Sequence, residues 1–146
     1  MRKMALALLG AVAIVAACDD STEPSDHAEP EGVEIRSGSN VVVSIMGTTV
    51  TGSITATAGQ ETGDFDFVFV DADGDEITID PADMYLDVEI ADESIVEFHA
   101  DEPGGFVGHF DGVAAGTTTM EIRLMHGTVG SGHPDYVSEP VTITVN

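Results

Sequence analysis

The sequence predicts an all-β domain, built as a sandwich of about seven to nine strands in two antiparallel sheets packed face to face. Apolar and polar residues alternate with period two along most of the chain after Val33, as expected for strands that bury one face. Clusters of turn residues separate these runs at intervals of roughly 8–12 residues. No segment of this part of the chain shows a sustained helical period.

The first 17 residues have the layout of a secretory signal peptide. Arg2 and Lys3 precede an uncharged run, Met4 to Ala17, which is shorter than the ~20 apolar residues of a spanning helix. The run ends in Val-Ala-Ala-Cys at positions 15–18 and resembles the lipobox of bacterial lipoproteins, in which the cysteine becomes lipidated. We therefore expect Cys18 to carry the lipid and more than one acyl chain to hold the protein on a membrane. The alternative is an ordinary signal peptide followed by a chance cysteine.

We expect residues 18–32 to consist of the lipidated cysteine and a disordered acidic tether. From Asp19 to Gly32 the sole apolar residue is Ala28, so the segment cannot bury enough surface to order itself. As a flexible coil it would reach roughly 20 Å. We expect His27 in this segment to be solvated, and residues 33–146 to form the sandwich.

Within the sandwich, alternating runs supply the expected strands in chain order. They are Val41–Met46, Val50–Thr57, Phe65–Phe69, Leu86–Ile90, Val96–His99, Phe106–Phe110, Thr119–Leu124 and Val137–Val145. Asp80 and Pro81 are expected to cap and open a single helical turn that ends at Met84. Because Cys18 is the only cysteine, the domain contains no internal disulfide, and its stability must come from apolar burial.

The second half of the domain carries a series of motifs in a fixed order. They are Asp92-Glu-Ser-Ile-Val-Glu-Phe98, Gly105-Phe-Val-Gly108, Gly112-Val-Ala-Ala-Gly-Thr-Thr-Thr-Met-Glu-Ile122 and a terminal Val-Thr-Ile-Thr-Val. This stretch, Leu86 to Val145, resembles a bacterial immunoglobulin-like domain of group 2, the module repeated in invasin- and intimin-type surface proteins. The resemblance implies an immunoglobulin-like sandwich with a structural, display or adhesion role and no catalytic residues. The tryptophan usual in that family at Leu86–Ile90 is absent from this chain.

Acidic residues dominate the charge of the chain. There are 27 Asp and Glu against 4 Lys and Arg, so the net charge is −23, and it becomes −25 when Arg2 and Lys3 leave with the leader. Such a surface repels phosphate backbones and anionic headgroups, which excludes nucleic acid as a partner. It suits cations, high salt or plain solubility. The partners we expect are the membrane, through the lipid on Cys18, and an envelope protein or surface ligand.

The acidic segment Asp71-Ala-Asp-Gly-Asp-Glu76 allows two interpretations. Asp71, Asp73 and Asp75 lie two residues apart and could supply several oxygens to a calcium ion. An EF-hand is excluded, because glycine stands at loop position four instead of six and Ala82 stands at position twelve. The alternative is a hairpin turn, in which aspartate and glycine accept the turn dihedrals.

The last loop predicts a second candidate cation site. His126 ends its strand, and His133 and Asp135 follow in the loop, with Met125 nearby. Imidazole combined with carboxylate or thioether is suited to zinc or copper. The alternative is a set of surface histidines that form weak pairs with acids or tune charge at mildly acidic pH.

Two further histidines fall on the polar faces of adjacent predicted strands. They are His99 and His109. A hairpin that turns across Asp101–Gly105 would place His109 opposite Ile95 or Glu97. The same strand geometry would keep this pair away from His126 and His133.

No constellation predicts catalysis. Ser131 lies in Gly-Ser-Gly-His without a strand-to-helix elbow. The glycine-rich run from Gly127 to Gly132 has no lysine and no following helix, so it does not predict a phosphate site. We therefore expect a non-enzymatic lipoprotein that is secreted across the inner membrane and anchored to the cell envelope. The sequence does not decide whether it faces the periplasm or the cell surface, or which membrane holds it. The alternative is a periplasmic lipoprotein that binds zinc, copper or calcium; no other cofactor is expected.

Overall fold

The apolar–polar alternation becomes eleven strands in residues 29–146, which are the residues that this computed structural model describes. The strands are β1 Gly32–Ser37, β2 Asn40–Met46, β3 Thr49–Gly52, β4 Ile54–Ala56, β5 Phe65–Val70, β6 Met84–Ile90, β7 Val96–Ala100, β8 Val107–Gly112, β9 Gly116–His126, β10 His133–Val137 and β11 Val141–Val145. The all-β prediction is confirmed. Cys18 and the tether up to Ala28 lie outside the described residues. Within 29–146, no helix is long and apolar enough to cross a membrane.

Two sheets form the sandwich. The first has the order β3-β2-β1-β5-β8-β7, and the second has the order β10-β9-β11-β4, with β6 paired to β9 as well. β10 and β11 both pair with β9, β10 along Arg123–His126 and β11 along Gly116–Met120. Every pairing is antiparallel except that of β11 with β4, which is parallel, so the expectation of purely antiparallel sheets was wrong at this one edge.

The strand number exceeds the expected seven to nine because of local breaks and one strand that was not predicted. β1 alternates buried Val33 and Ile35 with charged residues, and it begins at Gly32, the last residue assigned to the tether. The expected strand Val50–Thr57 is two strands, because Gly52 has a φ of +91° and the chain passes there from the first sheet to the second. The expected strand Val137–Val145 is interrupted after Val137, and its first part, β10, starts earlier, at His133.

The core is an apolar layer between the two sheets. Fully buried side chains come from both, for example Ile35, Phe69 and Phe110 from the first sheet and Ile122 and Ile143 from the second. The ring of Phe110 packs against Phe65 and Phe98 at centroid distances of 5.7 and 5.2 Å. The polar members of each strand are left on the outer faces, as His99 and His109 are. His126 follows the buried residues of β9 on their own side of the strand, at its end.

The expected helical turn after Asp80 is present as one hydrogen-bonded turn. The amide of Met84 donates to the backbone oxygen of Asp80 at 2.9 Å, and the Asp80 carboxylate caps the turn by accepting the amide of Ala82 at 2.9 Å. This turn leads directly into β6.

Gly52→Ala is expected to lower the free energy of unfolding by more than about 2 kcal/mol. The positive φ of +91° is strained for alanine, which alone costs on the order of 1–3 kcal/mol. The added Cβ would also collide with the backbone oxygen of Val42. Urea unfolding of the variant measures the loss. Gly63→Ala is the matched control, because a Cβ there meets nothing within 4 Å and φ is ordinary; equal unfolding midpoints for the two variants would contradict the prediction.

Candidate functional site

The hairpin of β9 and β10 brings His126, His133 and Asp135 together. The two histidines are direct cross-strand partners, and their ring centroids lie 5.3 Å apart. Asp135 lies between them, with one oxygen 3.4 Å from Nδ1 of His126 and the other 3.2 Å from Nε2 of His133. Each residue can place one ligand atom within 4.8 Å of the other two. We call these three residues the hairpin cluster.

A β-bulge aims Asp135 at the histidines. The pairing passes from Pro134 opposite Met125 to Tyr136 opposite Leu124, so Asp135 is the extra residue in β10. Bulges redirect side chains in this way and are common next to functional sites. Neither the bulge nor the closure of the hairpin could be read from the sequence pattern, although the residue types could.

The loop between the two histidines is tied to β6 and to the turn before it. The amide of Gly127 donates to the backbone oxygen of Asp83 at 2.7 Å, and the amide of Gly132 donates to the hydroxyl of Tyr85 at 3.3 Å. Gly127 takes a φ of +112°, which is accessible to glycine at low cost. The hairpin cluster is therefore held by contacts on both sides of the loop.

Met125 is not part of the hairpin cluster. It neighbours His126 in β9, so its side chain points to the opposite face of the strand, and it lines a groove together with its cross-strand partner Tyr85. Met84, which was not predicted near the site, is the cross-strand partner of His126 on β6.

The hairpin cluster supports two kinds of chemistry. Neutral imidazoles each offer one lone pair, and a carboxylate offers up to four, so the three residues can coordinate a cation. Protonated imidazoles would instead form two ion pairs with Asp135. The side chains of His126, His133 and Asp135 are 43%, 72% and 30% exposed, so water and ions reach all three.

The acidic segment forms a hairpin turn. One carboxylate oxygen of Asp71 accepts the amides of Asp73 and Asp75 at 3.0 and 2.9 Å, and the amide of Asp71 donates to the backbone oxygen of Asp75 at 2.9 Å. Val70 and Glu76 close the turn through an isolated bridge. In the described part of the chain, Asp71, Asp73 and Asp75 do not form a convergent group of three ligand atoms. The hydrogen bonds favour the turn over a calcium loop.

His99 and His109 lie directly opposite each other on β7 and β8, with ring centroids 5.7 Å apart. The expectation that His109 faces Ile95 or Glu97 was wrong. The amide of Asp101 donates to the backbone oxygen of Val107 at 3.0 Å, so these two residues close the hairpin. Asp101 therefore lies opposite Val107 and not opposite Gly105, and this shift of two residues places His99 in place of Glu97 opposite His109.

Comparison with known proteins adds little to this geometry. No protein-family model and no curated protein sequence matches the chain. Among solved structures, the chain is similar to domains 4 and 5 of the S-layer protein SbsC, at 14% identity over 77% of this chain and 74% of that chain, with a TM-score of 0.44. A likeness at this level assigns no function. The resemblance to group 2 bacterial immunoglobulin-like domains stays a prediction.

Tyr136 connects the hairpin cluster to the core, and its ring packs edge-on against Phe69 at 5.7 Å. Its hydroxyl is buried without a hydrogen-bond partner among the described residues. Burial, followed by the charges of Glu31 and Glu139, raises the pKa of Tyr136 to about 12. An unfolded tyrosine ionises near pH 10. The contribution of the Tyr136 pKa difference to the free energy of unfolding is therefore fully present below about pH 10 and is lost as the pH rises to about 12.

Tyr136→Phe is expected to remove that alkaline loss and to raise the free energy of unfolding at pH 7 by about 1 kcal/mol, because an unpartnered hydroxyl leaves the interior. Urea unfolding at pH 7 and pH 11 measures both effects. Tyr85→Phe is the control, since it deletes the hydroxyl that accepts the Gly132 amide and should destabilise. A destabilised Tyr136→Phe at pH 7 would contradict the prediction.

Proposed function

We propose that this protein is a lipid-anchored component of the bacterial cell envelope and that its β-sandwich is a non-catalytic structural, adhesion or interaction module. The leader supports the first part: a charged start, an uncharged run from Met4 to Ala17, and Val-Ala-Ala before Cys18. In this proposal the chain is secreted across the inner membrane and is held on a membrane through the lipid on Cys18.

The observation that carries the display role is the point at which the tether enters the fold. β1 begins at Gly32 and pairs along its length with β2 on one side and β5 on the other. Glu31 extends this ladder, because its amide donates to Val70 at 2.9 Å and its carbonyl accepts the amide of Gly47 at 3.0 Å. A force applied through the tether therefore acts on β1, which is hydrogen-bonded on both sides. Such a strand resists separation from its sheet better than an edge strand does.

The charge of the domain supports the same role. The described residues contain two basic side chains, Arg36 and Arg123, and each is already surrounded by acids: Glu34 and Glu76 contact Arg36, and Asp87, Glu89 and Glu121 contact Arg123. An acidic domain of this kind is repelled by anionic headgroups. On a tether of roughly 20 Å it would stand away from the bilayer, accessible to a partner.

Cys18→Ser is expected to move the protein from the membrane fraction to the soluble fraction and to abolish incorporation of a labelled lipid precursor. The reason is that serine lacks the thiol that accepts the lipid. Cell fractionation and labelling measure the two effects. Ser21→Ala, a small polar change three residues further along, is the control; a Cys18→Ser protein that remains bound to the membrane would contradict the proposal.

The hairpin cluster favours a second candidate function, the binding of a divalent transition-metal ion by an envelope lipoprotein. Two imidazoles and one carboxylate are a common ligand set for zinc with the fourth position open. Zinc or copper suits these donors better than calcium does. The acidic turn supports calcium less well, because one oxygen of Asp71 is already used by two backbone amides.

The double variant His126→Ala/His133→Ala is expected to lose about one equivalent of zinc, because a single carboxylate does not hold the ion. Equilibrium dialysis of the full chain measures the stoichiometry, with Cys18→Ser present in every sample so that the thiol does not compete. His27→Ala is the matched control from the tether. Asp135→Asn keeps the side-chain shape and should weaken binding at least about tenfold. Unchanged zinc stoichiometry in the double variant would refute the candidate function.

A further inference from the structure

We infer that the outer face of the first sheet carries a second site for a divalent transition-metal ion. Its ligands are two imidazoles and two carboxylates: His99, His109, Asp111 and Glu61. We call these four residues the sheet-face cluster. The inference does not depend on the hairpin cluster, because the two clusters lie on different sheets.

The separation of the two imidazoles fits a shared ion. With zinc–nitrogen bonds of about 2.1 Å and a tetrahedral angle, two coordinated imidazoles have their ring centres about 5 Å apart. The rings of His99 and His109 are 5.7 Å apart, and their strands hold them directly opposite each other. Because the register fixes both Cα positions, rotations of the side chains alone can close the remaining distance.

Two carboxylates complete the donor set. Oδ2 of Asp111 lies 3.4 Å from Nε2 of His99, and Oε2 of Glu61 lies 3.9 Å from Nε2 of His109. Glu61, His109 and Asp111 can place one ligand atom each within 4.8 Å of one another. Glu61 is positioned by an isolated bridge to Asp111, which attaches the loop after β4 to β8. His99 reaches this group through Asp111, and its side chain is 48% exposed, so it is free to turn towards the ion.

A second layer of acids lies beside His109. Its Nδ1 lies 3.7 Å from Oδ1 of Asp101, and Asp64 belongs to the same group of nearby donors. Histidines that bind metals commonly donate their other ring N–H to a carboxylate, which fixes the tautomer. In the metal-bound form, a move of about 1 Å would let Nδ1–H donate to Asp101 and would leave the lone pair of Nε2 on the side of Glu61 and Asp111. The side chain of His109 is 22% exposed, so its orientation is constrained by its neighbours.

The charge around the pair also requires compensation. Five carboxylates lie near one or the other imidazole: Glu61, Asp64, Glu97, Asp101 and Asp111. No lysine or arginine forms an ion pair with any of these five in the described residues. A divalent cation would offset this negative charge, and imidazole ligands select zinc, copper or nickel over magnesium or calcium.

The four histidines within residues 29–146 form two cross-strand pairs, and each pair has a carboxylate oxygen within 3.5 Å of an imidazole nitrogen. Surface histidines scattered without function would not be expected to pair completely. The repeated arrangement therefore supports metal binding at both the hairpin cluster and the sheet-face cluster.

The test uses the full chain with Cys18→Ser, His126→Ala and His133→Ala, so that neither the thiol nor the hairpin cluster binds the probe. Equilibrium dialysis against zinc is expected to show about one bound equivalent, and cobalt is expected to give the visible absorption of a tetrahedral site. In this background His99→Ala and His109→Ala should each weaken zinc binding at least about tenfold, and Asp101→Asn about tenfold through loss of the orienting carboxylate.

The controls separate the site from general acidity. Asp66→Asn removes an acid from β5 on the same sheet and should leave zinc binding unchanged, and circular dichroism verifies that each variant is folded. His99→Gln and His109→Gln, which keep polar side chains, should lose binding as the alanine variants do. No zinc bound in the background chain, or equal binding by the His109 variants and Asp66→Asn, would overturn the inference. Neither result bears on the lipid anchor or on the hairpin cluster.

Discussion

Burial of the apolar layer between the two sheets is the interaction on which the structure depends. The domain has no internal disulfide, because the only cysteine of the chain is Cys18, which lies before the sandwich. Its surface charges oppose compaction, since the chain has a net charge of −23 and the two arginines of the described residues each pair with several acids. Side chains such as Phe69, Phe110 and Ile122 must therefore supply the stability, at about 1.5–3 kcal/mol for each fully buried one.

That constraint determines where function can lie. Because one face of each strand is committed to the core, residues with other chemistry stand on the outer faces or in loops. His109 lies between Gly108 and Phe110, both buried, so the backbone that carries it is fixed by packing. The position of the hairpin cluster is not fixed by buried neighbours on both sides in this way. It depends on the bulge at Asp135 and on the backbone contacts of Gly127 and Gly132.

The sequence predicted the parts of this structure that follow from local alternation. The strands from Phe65, Leu86 and Val96 were found because apolar residues at every second position alternate with acidic or other polar residues. β1 was missed although Val33 and Ile35 alternate, because the run is short and joins the acidic tether. The register of β7 with β8 was wrong, since it depends on which residues close the turn, and the hydrogen bond from Asp101 to Val107 is a property of three-dimensional geometry. For the same reason the three residues of the hairpin cluster and the histidines His99 and His109 could be named from the sequence, but the convergence of these two histidines with Glu61 and Asp111 could not.

Both histidine pairs join a strand at the end of a sheet to its inner neighbour. β7 is the last strand of the first sheet and pairs with β8 alone, and β10 is the last strand of the second sheet and pairs with β9 alone. End strands carry unpaired backbone groups and are held on one side, so they are the first to separate from a sheet. A metal ion shared across either pair would fasten such a strand to its one neighbour. In a domain whose charges repel one another, a cation bound at either cluster would both reduce the local negative charge and connect an end strand to its neighbour, which relates the acidic surface, the strand order and the placement of the histidines.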